Sequence, residues 1–524
     1  MKQLLGLLLL LALGFACNLE DGHELKPPNV LLVIGDDISF PHLGAYGTKW
    51  IETPHCDRIA AEGLLFNNAF TPNAKCGPSR SIILTGRHGW QLGAAINHIA
   101  NWPDTLGSIW ESLAQASYHT GFTGKGWAPG NPGMKDNQRR ELTGPNYSEL
   151  KLSPPTTAIS DIDYAANFAT FLADRDQEEP FAFWFGSLEP HRAYEFGSGI
   201  RIGGKDPAAI DRVPPYWPDV DSVRQDLLDY ALEIEHFDQQ LGQMLALLEA
   251  EGELDNTIII VTADNGMPFP RVKGQAYHDS HHLPFLVRYP PLIKDAGGQV
   301  DAFIDFTDLA PTLADLCGLN EEHLGNLKHF QGRSLRPLLR GEQPEDWRQF
   351  VLFEKERHDV GRPQDQGYPI RGIRSENDLL LINYEPERWP AGDPVTGYLN
   401  TDGSATKSFI LNQARNGIDT SFWQMNFGRR PAIEFYQLDQ DPHCVNNLAQ
   451  AEQYLPRIEE LRNLMESELR RQGDLRMQGL GEQYEAFPVA WESQRGYYEQ
   501  FMAGDTLPAN WINPSDRESG LWVE

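Results

Sequence analysis

The apolar positions of this chain fall into two regimes. In the first, short continuous hydrophobic runs alternate with long stretches of helical spacing. Asn29-Val30-Leu31-Leu32-Val33-Ile34 is one such run, and Phe181-Ala182-Phe183-Trp184-Phe185 and Thr257-Ile258-Ile259-Ile260-Val261-Thr262 are two more. A run of this kind, with no polar alternation, reads as a parallel strand buried on both faces. Between the last two, residues 223–248 repeat apolar side chains at helical intervals, and shorter helices are predicted near 54–62 and from about Pro78. Strands alternating with long helices predict an α/β fold, a large doubly wound and mostly parallel sheet flanked by helices. The second regime begins near residue 340. Short strands at 351–353, 370–373, 379–382 and 434–438 are separated by turn residues, and an amphipathic helix follows from about 452 to 471. They predict a smaller C-terminal α+β domain built on an antiparallel sheet. The resulting division is 27–340 for the large domain, 341–480 for the smaller one, and a Trp-, Tyr- and Pro-rich tail at 481–524 that packs over the surface.

The N-terminus carries a different pattern. Met1-Lys2 precedes an apolar run from Leu4 to Ala16, too short to span a bilayer comfortably, and Gly14-Phe15-Ala16-Cys17 approximates a lipoprotein cleavage site. Residues 1–17 are read as a signal peptide with a lipid anchor favoured at Cys17. This predicts an exported protein of a Gram-negative bacterium, periplasmic or anchored in the outer membrane, that touches a membrane only through that anchor. The formal net charge of −30, from 74 acidic and 44 basic side chains, argues against non-specific binding to nucleic acid. An anionic substrate would need a locally basic pocket. The five cysteines, Cys17, Cys56, Cys76, Cys317 and Cys444, match no zinc or disulfide framework.

Two acidic clusters, Asp36-Asp37 and Asp264-Asn265, stand at the carboxyl ends of predicted parallel strands, where open α/β sheets bind ligands. Three carboxylates and an amide oxygen make a hard donor set suited to Ca²⁺, with Mg²⁺ as the alternative. Each pair alone reads better as a strand-ending turn than as a metal site. The segment that changes the picture is Cys76-Gly77-Pro78-Ser79-Arg80 followed by Leu84-Thr85-Gly86-Arg87. It resembles the signature of the formylglycine-dependent sulfatase family, within the alkaline phosphatase superfamily. In that family the cysteine of C-x-P-S-R is oxidised to formylglycine (3-oxoalanine) by a formylglycine-generating maturation enzyme.

The resemblance covers nearly the whole mature chain. It implies that Asp36, Asp37, Asp264, Asn265 and the modified Cys76 hold the cation. Gly121-Phe122-Thr123-Gly124-Lys125 resembles the family's lysine segment, Glu189-Pro190-His191-Arg192 its histidine segment, and Lys273 its later lysine. By the same resemblance Cys76, Arg80, Lys125, His191 and Lys273 are the catalytic set. Lys125, His191 and Lys273 contact substrate, as do Glu189 and Arg192 as weaker candidates. One departure stands out: many members have a histidine two positions after the first lysine, and here the residue is Trp127. The His278, His281 and His282 cluster reads as a polar loop rather than a metal site.

The implied chemistry begins with neutralisation of the sulfate by the cation, Lys125, Lys273 and Arg80. One hydroxyl of the aldehyde hydrate then attacks sulfur, the second expels sulfate, and His191 transfers a proton to the leaving group. The stretches 264–270 and 189–192 resemble the sulfamidase-like, heparan N-sulfatase-like branch, which implies a sulfated oligo- or polysaccharide, N- or O-sulfated, as substrate and a role in polysaccharide degradation. Three readings stay open beside it: a phosphodiester or phosphonate hydrolase of the same superfamily, a sulfatase of small molecules, and a non-catalytic glycan-binding lipoprotein.

Overall fold

The computed structural model describes residues 26–135 and 137–519. The signal and lipid-anchor readings at 1–17 therefore lie outside the described residues. Within the described residues no helix is long and apolar enough to cross a membrane.

The continuous apolar runs form the middle of a seven-stranded sheet. Its strands are β1 (Asn29–Gly35), β2 (Leu64–Phe66), β3 (His119–Gly124), β4 (Phe181–Gly186), β5 (Thr257–Ala263), β6 (Phe285–Arg288) and β7 (Gly298–Val300), in the order β7-β2-β6-β5-β1-β4-β3. β5, β1, β4 and β3 run parallel to one another, whereas β6 is antiparallel to both β5 and β2. The sheet is thus α/β and mostly parallel, with an antiparallel strand set into it. Every residue of β1, β4 and β5 is buried, as a strand covered on both faces requires.

Helices supply the cover. α1 (Pro54–Glu62) starts with proline at its first position, where the missing N–H costs nothing. α2 (Cys76–Thr85) begins two residues before Pro78 and stops at Gly86, whose φ of +64° closes the last turn. α3 (Tyr164–Asp174) is capped by the Asp163 carboxylate and leads into β4. α4 (Asp221–Glu251) buries Leu227, Ile234, Leu241, Leu245 and Leu248 at helical spacing on one side.

The second sheet is antiparallel: β8 (Phe350–Lys355), β9 (Ile370–Ser375), β10 (Asp378–Asn383) and β11 (Ile433–Gln437) pair in that order. α5 (Leu455–Arg471) lays Ile458, Leu461, Met465 and Leu469 against it, next to Leu352, Ile373, Leu380 and Phe435. The tail beyond it packs Val489, Tyr497, Ala509 and Ile512 over Ile99, Val360 and Leu399.

Candidate active site

β1 and β5 are in register, with Ile34 opposite Thr262 and Gly35 opposite Ala263, so Asp36 and Asp264 leave the sheet side by side. Asp37 follows in the left-handed region at φ +78°, a conformation in which Asp is enriched among non-glycine residues. Its N–H donates to Asp264 Oδ1 at 3.1 Å. Cys76 is the first residue of the fully buried α2 and sits across from them. One donor atom from each of Asp36, Asp37, Cys76 and Asp264 lies within 4.8 Å of the others. Cys76 Sγ is 3.5 Å from Asp36 Oδ1 and 3.9 Å from Asp37 Oδ1.

Three cations, Arg80 and Lys273 buried and Lys125 half-buried, bind this acidic cluster. Lys125 Nζ donates to Asp36 Oδ2 at 2.5 Å, and Lys273 Nζ to Asp37 Oδ2 at 2.7 Å. Arg80 Nε donates to Asp264 Oδ2 at 2.9 Å while its guanidinium also holds the Gly126 carbonyl at 2.9 Å. Compensation is uneven. Burial pushes Asp37 and Asp264 up to about 6, against the pull of Lys273 and Arg80 and with the repulsion of neighbouring Asp36. Burial acts on Asp36 as well, but Lys125, with His191, Arg80 and Lys273, outweighs it and holds that carboxyl well below its ordinary range. Burial, followed by Asp36, drives the Cys76 thiol far up. An unmodified thiol here stays protonated and is a poor nucleophile.

The donor set fits a hard divalent cation. Asn265 Nδ2 donates to Asp37 Oδ1, while Asn265 Oδ1 is buried without a hydrogen-bond partner among the described residues. An orphaned amide oxygen beside three converging carboxylates is what a Ca²⁺ or Mg²⁺ ligand shell presents.

Cys76, Lys125, His191 and Lys273 open on one cavity of about 1140 Å³. His191 brings a ring nitrogen within 4.8 Å of Asp36 and Cys76. Its Nδ1 is 2.6 Å from the Arg192 carbonyl, which can only accept, so Nδ1 carries the proton and Nε2 is left as the acceptor. Burial and then Lys273 lower this imidazole to about 4, only partly offset by Asp36.

Glu189 and Arg192 line the same cavity, but their polar atoms turn to the protein. The Glu189 carboxylate accepts from the Ser160 N–H at 2.8 Å, Tyr164 Oη at 2.9 Å and Ser187 Oγ at 2.5 Å. Arg192 forms a two-pronged ion pair with Asp226 at 2.7 and 2.9 Å and stacks on Tyr194 and Phe269. These bonds brace the segment that carries His191. The three-histidine cluster also differs from the expected polar loop. His278–His281 is a short helix, and burial lowers His281 and His282 to about 3 each. His281 stacks on Phe353 of the second sheet and His282 on Phe70.

Three site residues escaped the sequence reading. Asp402 accepts from Lys273 Nζ at 2.9 Å, so this lysine bridges Asp37 and a loop of the C-terminal half. Lys75, immediately before Cys76, is buried in the cavity wall and pairs with Asp359 at 3.2 Å. His98 lines the cavity, with both ring nitrogens shielded and without partner among the described residues. Lys75 could have been flagged by adjacency; Asp402 and His98 sit in segments with no motif. Trp127, at the position of the absent histidine, donates its indole N–H to Ser81 Oγ on α2 at 2.8 Å and packs edge-on against Trp102.

Comparison with known proteins identifies the family. Residues 28–319 match the family described as Sulfatase, and residues 272–390 match the family described as N-sulphoglucosamine sulphohydrolase, C-terminal. The human N-sulphoglucosamine sulphohydrolase is 29% identical over 468 residues, covering 84% of this chain and 89% of its own. The N-acetylglucosamine-6-O-sulfatase of Bacteroides thetaiotaomicron is 26% identical, covering 72% and 82%. A solved structure described as BT4656 in complex with its substrate D-glucosamine-2-N,6-O-disulfate superposes with a TM-score of 0.58 at 22% identity, covering 86% of this chain and 99% of that one. With residues 28–319, more than half of its length, matched by the Sulfatase family and an overlapping segment to residue 390 by the N-sulphoglucosamine sulphohydrolase C-terminal family, the chain belongs to the sulfatase family and is an enzyme of that class.

Proposed function

We propose that this sulfatase removes sulfate from a sulfated glycan, acting on an amino sugar of the glucosamine type, through a formylglycine at position 76 beside a bound Ca²⁺ or Mg²⁺. The observation that carries the reading is the meeting of Asp36, Asp37, Cys76 and Asp264 within 4.8 Å, ringed by Lys125, Lys273 and Arg80. The substrate class is supported by the relatives, whose names specify sulfated glucosamines.

Asp36, Asp37, Asp264 and Asn265 would hold the cation, which supplies Lewis-acid polarisation of the sulfate oxygens. Oxidised by a maturation enzyme and hydrated, residue 76 supplies a geminal diol in place of a thiol that burial keeps protonated. The chain's own residues do the rest. Lys125 and Lys273 present ammonium groups to the charge on the non-bridging oxygens. Arg80 anchors Asp264 and the backbone at Lys125 and Gly126, so the helix start and the lysine segment move as one unit. His191 faces the leaving group with Nε2 unprotonated in the free enzyme, and a bound sulfate favours the imidazolium that can give up a proton there. The N-terminal pattern supports export, where such an enzyme would meet extracellular polysaccharide.

The test is co-expression with a formylglycine-generating enzyme, confirmation of the aldehyde by mass spectrometry, and sulfate release measured on N-sulfated and O-sulfated glucosamines and heparan fragments. Ulvan and carrageenan oligosaccharides form the second arm. Release from the glucosamine set, absent in Cys76→Ala, is the expected result. Release only from algal oligosaccharides replaces the sugar, and release from none with the aldehyde confirmed overturns the reading.

A further inference from the structure

The two matched family segments end at residues 319 and 390, yet the catalytic cavity is also walled by Trp491 and Trp511, from the C-terminal tail. That tail is firmly attached. Ala490 N donates to the Ile99 carbonyl at 2.8 Å, one residue before Trp491. Gly403 N, next to Asp402, donates to the Trp511 carbonyl at 2.7 Å. Further along, the buried Lys407–Asp516 pair at 3.1 Å and the Arg415–Glu518 pair at 2.7 Å lock the chain down. The Trp511 indole N–H donates to the Leu399 carbonyl at 2.8 Å, which fixes the plane of its ring.

Trp511 is half-buried and packs one side on the Leu399 and Ile512 cluster, whereas Trp491 does not behave like a packing residue. Trp110, Trp184 and Trp217 are fully buried in the core, whereas Trp491 remains 44% exposed although its backbone is held in place. A large apolar face kept in water at the wall of a catalytic cavity is retained for a ligand with an apolar face of its own. The C–H face of a pyranose ring is such a surface, and its hydroxyl rim stays solvated when it stacks. Arg139 lines the same cavity, exposed and with no ion-pair partner among the described residues, and suits an anionic substituent on that ring. The cavity, at about 1140 Å³, is larger than one monosaccharide fills.

We infer that Trp491 and Trp511 form a second sugar subsite, which stacks the ring adjacent to the one bearing the scissile sulfate and makes this enzyme selective for oligosaccharides over monosaccharides. The subsite rests on the proposed glycan sulfatase reading and assigns residues of this chain to the sugar beyond the sulfated one. Because Ala490 is bonded to Ile99 and Trp511 to both Gly403 and Leu399, the platform is preformed and little ordering is lost on binding.

Two measurements separate this from the parent reading. In the first, Cys76→Ala protein with and without Trp491→Ala is titrated calorimetrically with a sulfated glucosamine and with a heparan-type tetrasaccharide. In the second, kcat/KM is measured for both ligands in the active enzyme, and their ratio is compared among wild type, Trp491→Ala and Trp491→Phe. Loss of the indole is expected to weaken tetrasaccharide binding, and to lower the tetrasaccharide-to-monosaccharide ratio, by about tenfold. Phe should restore most of it, an outcome that a folding defect would not produce. Trp511→Phe, which keeps a ring but loses the Leu399 bond, should fall between. Equal affinities and an unchanged ratio overturn the subsite while leaving sulfate hydrolysis intact. Tetrasaccharide binding that needs Trp491 without any sulfate release leaves the subsite standing and removes the hydrolase reading. Failure of the wild-type chain to prefer the tetrasaccharide overturns the subsite directly.

Discussion

Two buried charge networks in this protein have opposite characters. Under the C-terminal sheet, Arg371 pairs with Asp474 through two bonds of 2.6 and 3.1 Å and with Glu356 at 2.9 Å, and Arg476 closes the ring on Glu356 at 2.7 and 2.5 Å. Tyr484 Oη adds a bond to Asp474 at 3.0 Å. Two guanidinium groups meet two carboxylates, and every carboxylate has at least two donors. At the end of the parallel sheet, three carboxylates also meet three cations, yet two of those carboxyls are pushed up to about 6 and the Asn265 oxygen has no described partner. The first network is closed and structural; the second is incomplete and faces a cavity. Buried charge alone therefore does not mark a site. Uneven compensation together with access does.

The comparison can be broken most sharply at position 76. Cys76→Ala should lower sulfate release by about a thousandfold or more, because no other nucleophile stands between the carboxylates, while the melting temperature changes little. Chromatographic sulfate release and calorimetry read the two quantities. The closed network predicts the reverse. Arg371→Met leaves Asp474 and Glu356 buried without their shared partner and should cost about 3–5 kcal/mol of stability, measured by urea unfolding. If that variant instead lost activity at unchanged stability, the assignment of this network as structural would fail.

The incomplete network should also respond to cation and pH together. Asp37 and Asp264 have folded values near 6, above the ordinary 3.8, so in chelator-treated protein their stabilising contribution is present below about pH 4 and is lost as pH rises through 6. Asp36 is shifted down and has the opposite sign, its contribution being lost only below its ordinary range. A divalent cation binds the ionised forms and competes with protons. Added Ca²⁺ should therefore raise the melting temperature by several degrees at pH 7.5 and hardly at all at pH 5; an equal rise at both would contradict the carboxylate assignment. The smallest effect belongs to exposed charge. Arg470, paired with Glu466 one turn away on α5, should change stability by less than about 0.5 kcal/mol when replaced by Ala.

Local order in the chain determined much of this protein. Continuous apolar runs mark β1, β4 and β5, because a strand covered on both faces has no polar side to alternate with. The acids after β1 and β5, and a cysteine opening a helix, are contiguous motifs that survive any rearrangement of distant loops. Strand direction was not legible. β6 is a four-residue strand, three apolar residues and Arg288, whose antiparallel course follows from the path of the chain after Asp264, not from its composition. The fates of Glu189 and Arg192 were also decided in three dimensions. Asp226, 34 residues beyond Arg192, claims its guanidinium, and Tyr164 with Ser160 claims the Glu189 carboxylate. Asp402, His98, Trp491 and Trp511 reach the cavity from segments with neither periodicity nor motif. Their place is set by long-range packing of the C-terminal half against the parallel sheet's edge of ligands, and interactions between residues so far apart along the chain leave no local pattern to read.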